Sequence, residues 1–409
     1  MFEGVTITAD NVDKGTIAEA LIYYGQVHVV VSRGGLQIIA KSFGHENLIE
    51  LIDAGNLAIA FEQSNYAVHT ISAPFRTHDF GLISLAATVD GRKIRQPLDE
   101  IEEMFEREFG KSSETRRFAR DIAGRVSISR AMEDILVATR KDVLDTDYMT
   151  RACAAWLRVM VPEYEIPKLF AVDVADTGKG FVFVSGLDFE EINKFYHRRI
   201  SPEHSSVTDS YLLAHIVSVR KELNFSANTS TDIWLGPGNA AMLKEKTKSL
   251  LERTDKSSKD IRIFHEVEFE GRTFREAINS GERTIDDLVA FLRLEDTRRF
   301  KTWLISQHNE SVLIQEFHRS LFEKAGWMQR LPVKAGKLVV FAGLGAVIDA
   351  QIGSMGLATV ASTALGMGSD MLVGASDEFL LSKIKKGWKP NQFVEGSAQK
   401  FLDGGSDAS

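Results

Sequence analysis

Residues capable of acid–base chemistry lie near the end of the first strand-rich segment. They are His69, His78 and Asp79. A carboxylate can hold an imidazole in one orientation, which is how many general bases are arranged. No Gly-x-Ser-x-Gly nucleophile motif accompanies these residues. They are therefore candidates for a catalytic site, and the alternative is a structural role.

A second polar group lies between residues 196 and 206. It contains His197, His204, two arginines and several hydroxyl groups, a set that could bind an anion or assist proton transfer. The two histidines are seven positions apart with Pro202 between them, which matches no standard zinc spacing. The alternative is a solvated linker after a helix, and no metal site is predicted.

Two glycine-containing stretches resemble nucleotide-binding motifs only superficially. Residues 175–180 do not complete a Walker A loop, because Asp173 stands where its first glycine belongs and Gly180 where its hydroxyl residue belongs. Residues 235–239, Leu-Gly-Pro-Gly-Asn, lack the G-x-G-x-x-G fingerprint. The first stretch is predicted to be a hairpin turn and the second a loop, and no cofactor is predicted.

The composition excludes several classes of protein. The chain has 409 residues, of which 44% are hydrophobic and 26% charged, and its net charge is -8. These values are typical of a globular protein of two or three domains. The single cysteine, Cys153, excludes multi-cysteine metal clusters and is expected to be a buried, inert thiol in a reducing compartment. The chain has no signal-peptide pattern and no long run of Lys or Arg, so a cytoplasmic location without general nucleic-acid binding is expected.

Alternating strand and helix patterns predict an α/β layer over residues 1–97. Residues 26–31 and 57–61 are short apolar runs suited to buried strands. Residues 36–52, between them, have helical spacing that is interrupted at Gly44. A strand–helix–strand order favours parallel neighbours in one sheet.

The rest of the chain is predicted to be mostly helical. Residues 98–330 contain amphipathic helices with one β-hairpin near 168–185, and Asp188 followed by Glu191 is typical of a helix N-cap. Residues 331–395 contain a Gly/Ala-rich hydrophobic helical hairpin and a short basic helix, and 396–409 are predicted to be a disordered tail. The predicted fold class is therefore α+β.

One segment departs from this background. Residues 338–373 contain only two charged residues, Asp349 and Asp370, and residues 350–369 contain none. A fully helical run of about 20 residues would cross a hydrocarbon core of about 30 Å. Large apolar side chains are few in this run, however, and aspartates are costly at the centre of a membrane. The composition therefore argues against a single transmembrane helix.

Small residues recur at every fourth position of this segment and on a helix would form a row that allows close approach of another backbone. Residues 353–356, Gly-Ser-Met-Gly, interrupt the row, which predicts two helices folded into a tight hairpin. Lysines flank both ends, and a hairpin would bring them to one side, as expected for entry from the cytoplasm. The row with its aspartates is Ala342, Ala346, Asp349, Ala350, Ser354, Ala358, Ser362, Gly366 and Asp370, and the lysines are Lys334, Lys337, Lys383, Lys385, Lys386 and Lys389.

Three interpretations of the hairpin remain open: it is buried in the fold, it acts on a membrane, or it forms an interface between copies of the chain. The leading hypothesis is a cytoplasmic, prokaryotic-type effector or sensor that exposes residues 338–373 to membrane lipid or to copies of itself, at the inner face of a membrane. The second is a soluble hydrolase or nucleic-acid-processing enzyme that uses a His/Asp site. The third is a non-catalytic interaction protein. The residues favour the first over an enzyme, and the sequence does not identify a ligand.

Overall fold

The computed structural model describes residues 3–8, 12–72, 76–85, 88–89, 92–93, 97–200, 204–229, 231–253, 266–268, 274–306, 339–341 and 393–403. The strands are β1 (Gly4–Thr8), β2 (Gln26–Val31), β3 (Leu57–Glu62), β4 (Ser64–Ile71), β5 (Thr77–Ser84), β6 (Thr88–Val89), β7 (Arg92–Lys93), β8 (Ser127–Ser129), β9 (Val172–Asp176), β10 (Phe181–Ser185), β11 (Asp232–Leu235), β12 (Glu266–Glu268) and β13 (Val339–Phe341). The helices are α1 (Lys14–Tyr23), α2 (Arg33–Phe43), α3 (His45–Asp53), α4 (Pro97–Phe109), α5 (Ser113–Ala123), α6 (Glu133–Val143), α7 (Thr146–Met160), α8 (Phe189–Arg199), α9 (Asp209–Thr229), α10 (Pro237–Arg253), α11 (Phe274–Asn279), α12 (Ile285–Arg293), α13 (Glu295–Ser306) and α14 (Gln399–Asp403), the last preceded by a π-helical turn, Phe393–Ala398. The chain has the α+β class that its sequence predicts.

The main sheet has the strand order β12-β13-β11-β1-β2-β3-β8. Its strands β11, β1, β2, β3 and β8 are parallel, and β13 runs antiparallel to both β11 and β12. The predicted parallel pairing of β2 and β3 is confirmed. From β1 the chain proceeds to β2, β3 and β8 on one side and later to β11 on the other. The topological switch point of the sheet therefore lies between β1 and β11.

The main sheet is not confined to the predicted α/β layer of residues 1–97. It includes β8, β11, β12 and β13, which lie within the ranges 98–330 and 331–395 of the sequence-based division. Strand β11 was not predicted, because four residues are too few to show a period among helical neighbours. All four residues of β11 are buried, as expected for a central parallel strand.

A smaller sheet has the order β4-β5-β10-β9. Its β9 and β10 form the predicted antiparallel hairpin. Gly178 has a φ of 73°, and its N–H donates to Asp176 Oδ1 at 2.7 Å, so residues 175–180 form the predicted turn and not a phosphate loop. Asp188 caps α8 by accepting from the N–H groups of Glu190 and Glu191, as its position predicts.

Two hydrophobic cores hold the elements together. The first lies on one face of the main sheet against α1, α2, α4, α5 and α11–α13, and includes Val27, Val29 and Trp234. The second lies among the smaller sheet, α7, α9 and α10, and includes Ile233 and Leu235. Since Trp234 and its two neighbours point to opposite faces of β11, this strand contributes to both cores.

The C-terminal residues join the first core. Phe393 stacks on Phe300 with ring centroids 4.0 Å apart, and Phe401 lies 4.7 Å from Phe291. The expected disordered tail therefore does not hold for residues 396–403, because aromatic burial offsets the cost of ordering this short stretch.

The charge-depleted segment is described only where it begins. Val339–Phe341 is a strand paired with the buried β11, so the expected hairpin helix does not include these three residues. Their β-branched and aromatic side chains favour a strand. The small-residue row from Ala342 to Gly366, its two aspartates and the six flanking lysines lie outside the described residues.

Replacing Phe401 by Ala tests the packing of the C-terminal residues. Because Phe401 is 9% exposed and contacts two aromatic rings, we expect Phe401→Ala to lower the free energy of unfolding by about 3 kcal/mol in urea titrations. Leu169 is 97% exposed, and Leu169→Ala should change it by less than about 0.5 kcal/mol. Equal effects of the two variants would contradict a packed C-terminus.

Candidate functional site

Helix α9 brings polar and charged side chains into the interior of the protein. Its 21 residues, about 30 Å of helix, pack on β1, β11, β4, α6 and α10, and so on both sheets. The side chains of Asp209, Arg220, Lys221 and Glu222 each meet a polar partner from another element. These four contacts form a polar layer along α9, and this layer is the candidate site.

Lys221 joins α9 to the point where the chain leaves the main sheet. Its Nζ lies 2.6 Å from Glu62 Oε1, at the end of β3, and 3.3 Å from Asn65 Oδ1, in β4. The two charged side chains are 9% and 2% exposed. Glu62 Oε2 receives no hydrogen bond from any residue that the structure describes. Because both charges are buried and poorly solvated by water, each is stabilised mainly by the opposite charge of its partner.

Glu222 performs a similar role at the end of β1. The hydroxyl of Thr8 donates to Glu222 Oε1 at 2.7 Å, and both residues are buried. Two residues earlier in β1, the Thr6 hydroxyl forms a hydrogen bond with the Thr231 hydroxyl at 2.6 Å. The polar face of β1 is therefore satisfied by α9 and the residues that follow it.

Arg220 contributes to a buried cluster around Asp142 of α6. Its guanidinium donates to both carboxylate oxygens of Asp142, at 2.8 and 2.6 Å, and Lys246 Nζ lies 2.5 Å from Oδ1 of the same carboxylate. The Lys246 ammonium also lies 4.7 Å from the centre of the Tyr148 ring. Burial raises the pKa of Tyr148 well above its ordinary value, so this phenol remains neutral.

His78 belongs to the polar layer, but its carboxylate partner differs from the predicted one. Its Nε2 lies 3.1 Å from Asp209 Oδ2, its Nδ1 lies 3.0 Å from the Thr70 hydroxyl, and its side chain is 1% exposed. Both ring nitrogens thus face protein groups. A general base needs one nitrogen open to substrate, so this geometry favours a structural histidine.

Asp79 points away from His78, because neighbouring residues on a strand face opposite sides of the sheet. Its Oδ1 accepts from Arg140 at 2.9 Å. His69 lies on the same outer face, close enough to Gly81 that a Cβ there would be 2.5 Å from its Nε2. The register of β4 and β5 places His69 directly opposite Asp79 on this face, whereas His78 lies on the buried face. The structure therefore brings His69 and Asp79 together but not all three residues.

The second histidine group also does not form a metal centre. His197 Nε2 lies 3.3 Å from the Ser206 hydroxyl, and His204 is exposed. Within the described ranges, no group of three or more His, Cys, Asp or Glu residues could hold a metal ion. Cys153 is buried in α7, as predicted, and burial raises its pKa to about 12, which disfavours the reactive thiolate.

The polar layer along α9 was not predicted from the sequence. Residues 220–222, Arg-Lys-Glu, have the composition of a solvated helix face, and their partners lie far away in the chain. Thr6 and Thr8 are the one available signal, because polar residues alternate there with Val5 and Ile7 in a strand that is buried on both faces.

No helix in the described part of the chain is long and apolar enough to cross a membrane.

No protein-family model, curated protein or solved structure matches this chain.

The Lys221–Glu62 pair can be tested by a double-mutant cycle. Lys221→Met and Glu62→Leu should each lower the free energy of unfolding by about 3–5 kcal/mol, because each leaves a buried charge without its partner. The double variant should recover most of that loss. Arg293→Met, which breaks the exposed pair with Glu50, should have little effect in the same urea titrations. Additive losses in the double variant would contradict direct coupling.

The contacts of Asp209 predict a pH dependence of stability. Burial alone would raise its pKa, but the contacts from His78, the Ser210 N–H and Arg76 outweigh burial and hold the pKa below its ordinary value of 3.8. Because the folded-state pKa is depressed, ionised Asp209 stabilises the fold above its unfolded-state pKa, and this contribution is lost as the pH falls through the folded-state value.

We therefore expect Asp209→Asn to have a lower free energy of unfolding than the wild type at about pH 5, with the difference closing below about pH 4. Urea titrations at several pH values in this range measure the difference in the free energy of unfolding between the variant and the wild type. At about pH 5, Asp79→Asn should lower the free energy of unfolding by less, because the Asp79 side chain is 46% exposed in its pair with Arg140. A difference for Asp209→Asn that stays constant down to about pH 2 would contradict the assignment.

Proposed function

We propose that this chain is a non-enzymatic effector that acts at the cytoplasmic face of a membrane through residues 342–392. The observation that carries the proposal is the run of twenty uncharged residues, 350–369, between groups of lysines. In a chain in which 26% of the residues are charged, such a run has the composition of a surface that meets lipid or another copy. The flanking lysines favour an anionic lipid surface.

The two ends of this segment support the proposal. Phe341 ends β13 and pairs with Ile233 of β11, and Phe393 stacks on Phe300 in the first core. Both ends thus belong to the folded body. A change in the environment of residues 342–392 can therefore occur while the sheet and the core keep their contacts.

The contacts of the histidines favour this proposal over an enzyme with a His/Asp site. Both ring nitrogens of His78 face protein groups, and Asp79, which lies opposite His69, is paired with Arg140. His197 is half-buried with its Nε2 3.3 Å from the Ser206 hydroxyl, and His204 is exposed.

Flotation with liposomes tests the proposal, but a truncated chain is unsuitable. Ending the chain after Leu331 would remove β13 from the main sheet together with Phe393 and Phe401 from the first core. A better comparison replaces residues 343–391 with a Gly/Ser linker of about 20 residues, which spans about 25 Å. We expect the full chain to float with phosphatidylglycerol vesicles, and the linker variant to remain at the bottom of the gradient.

A point variant provides the matched test in the full chain. Ala358→Glu places a charge in the uncharged run, at a cost of about 2.5–3.5 kcal/mol at a membrane centre, and should abolish flotation. Ala175→Glu, at an exposed position of β9, should float like the wild type. A full chain that never floats would contradict membrane action. Oligomers detected by light scattering and dissociated by Ala358→Glu would then assign the segment to self-association.

A further inference from the structure

The connection from β11 to α10 lies at the switch point of the main sheet. Strand β11 ends at Leu235 and α10 begins at Pro237, so the predicted loop is a tight strand-to-helix turn. Proline suits the first helical position, because it has no N–H and its φ already matches a helix. In open α/β sheets, ligands bind outside the carboxyl ends of the strands at a switch point.

The first turn of α10 presents backbone donors at this position. The first backbone hydrogen bond of the helix joins the Ala240 N–H to the Gly236 carbonyl at 2.9 Å. The N–H groups of Gly238 and Asn239 precede it, where a helix supplies no acceptor of its own. The aligned peptide dipoles add a partial positive charge at this end of the 17-residue helix.

The indole N–H of Trp156 is a third donor at the same turn. Trp156 is 0% exposed, and its Nε1 has no hydrogen-bond partner among the described residues. A Cβ added to Gly238 would lie 2.5 Å from this nitrogen, so only glycine allows the indole to approach the helix so closely. A buried N–H without an acceptor destabilises the fold, and a bound acceptor would remove that penalty.

Polar and aromatic side chains hold the turn in place. The Asn239 Nδ2 group donates to the Ser218 hydroxyl at 3.1 Å, which leaves its Oδ1 to accept from His215 Nδ1 at 2.6 Å. The rings of His215 and Tyr211 lie 5.4 and 5.8 Å from the Trp156 ring, and both residues are half-buried. The Tyr211 and His215 rings meet edge to face, with centroids 4.7 Å apart and planes 76° apart, and form a partly exposed aromatic rim beside the donors.

The carboxylate of Glu222, near this turn, has partners of its own. Its Oε1 accepts from the Ser218 hydroxyl at 3.5 Å and, on the β1 side, from the Thr8 hydroxyl at 2.7 Å. The donors at α10 are therefore matched by a ligand that brings its own negative charge and several acceptor oxygens.

We propose that the start of α10 is a binding site for the phosphate group of an organic phosphate. The Gly238 and Asn239 N–H groups and the Trp156 indole N–H donate to the phosphate oxygens, and the rim of Tyr211 and His215 receives a planar part of the ligand. The phosphate can belong to a small molecule or to a lipid headgroup. The proposal is independent of membrane action by residues 342–392.

Calorimetric titration of the full chain at constant ionic strength tests the site. The probes are inorganic phosphate, adenosine monophosphate and phosphatidic acid vesicles. We expect saturable binding of the first two, with adenosine monophosphate binding more tightly. Trp156→Phe keeps a ring but removes the N–H, and should weaken both by about tenfold. Trp303→Phe, in α13, should leave both affinities unchanged.

A second variant keeps the test independent of folding defects caused by the change at Trp156. Asn239→Asp preserves the size of the side chain but adds a negative charge to the turn, and should weaken phosphate binding by at least tenfold while the circular dichroism is unchanged. Binding to phosphatidic acid vesicles that is lost in both variants would identify a lipid source for the phosphate. Absence of saturable binding to all three probes, or equal affinities for the wild type and both variants, would overturn the proposal.

Discussion

The ion pair between Lys221 and Glu62 is the contact on which the joining of the two sheets depends. Glu62 ends β3, and β4 of the smaller sheet begins two residues later, so Lys221 holds the corner at which the chain passes between sheets. The same ammonium reaches Asn65 on the far side of that corner. Water cannot replace either charge at this depth, and loss of one leaves the other uncompensated. The corner and α9 are therefore fixed by the same contact.

The contacts of α9 follow from the rotation of about 100° between successive residues of a helix. Arg220, Lys221 and Glu222 are consecutive, so they point in three directions and meet α6, β3 and β1 respectively. Such a helix has no solvent face over this turn and cannot rotate without breaking all three contacts. Asp209 adds a fourth contact near its first turn, with His78 of the smaller sheet. The charged contacts thus act together with the buried apolar side chains of α9 to fix its rotation about its axis.

The sequence predicted the elements whose signal is local, and missed those whose signal is distant. Strands β2 and β3, the turn at Gly178 and the cap at Asp188 each depend on a few neighbouring residues, and all were predicted. The partners Lys221 and Asn65 lie 156 positions apart, which no pattern in one sequence can reveal. Adjacency was misleading for His78 and Asp79, because a strand sends neighbours to opposite faces. The turn before α10 lacks a known fingerprint, and its position at the switch point became visible only with the sheet order.

The C-terminal region shows why composition alone was a poor guide to its structure. Residues 396–409 are short and rich in Gly, Ser and Asp, yet Phe401 at their start belongs to the first core together with the preceding Phe393. These rings and β13 fix both ends of residues 342–392. The entropy of closing a chain between two fixed ends grows slowly, by about 0.6 kcal/mol for each doubling of its length. The number of residues between Phe341 and Phe393 therefore adds little to the entropic cost of bringing these two positions together.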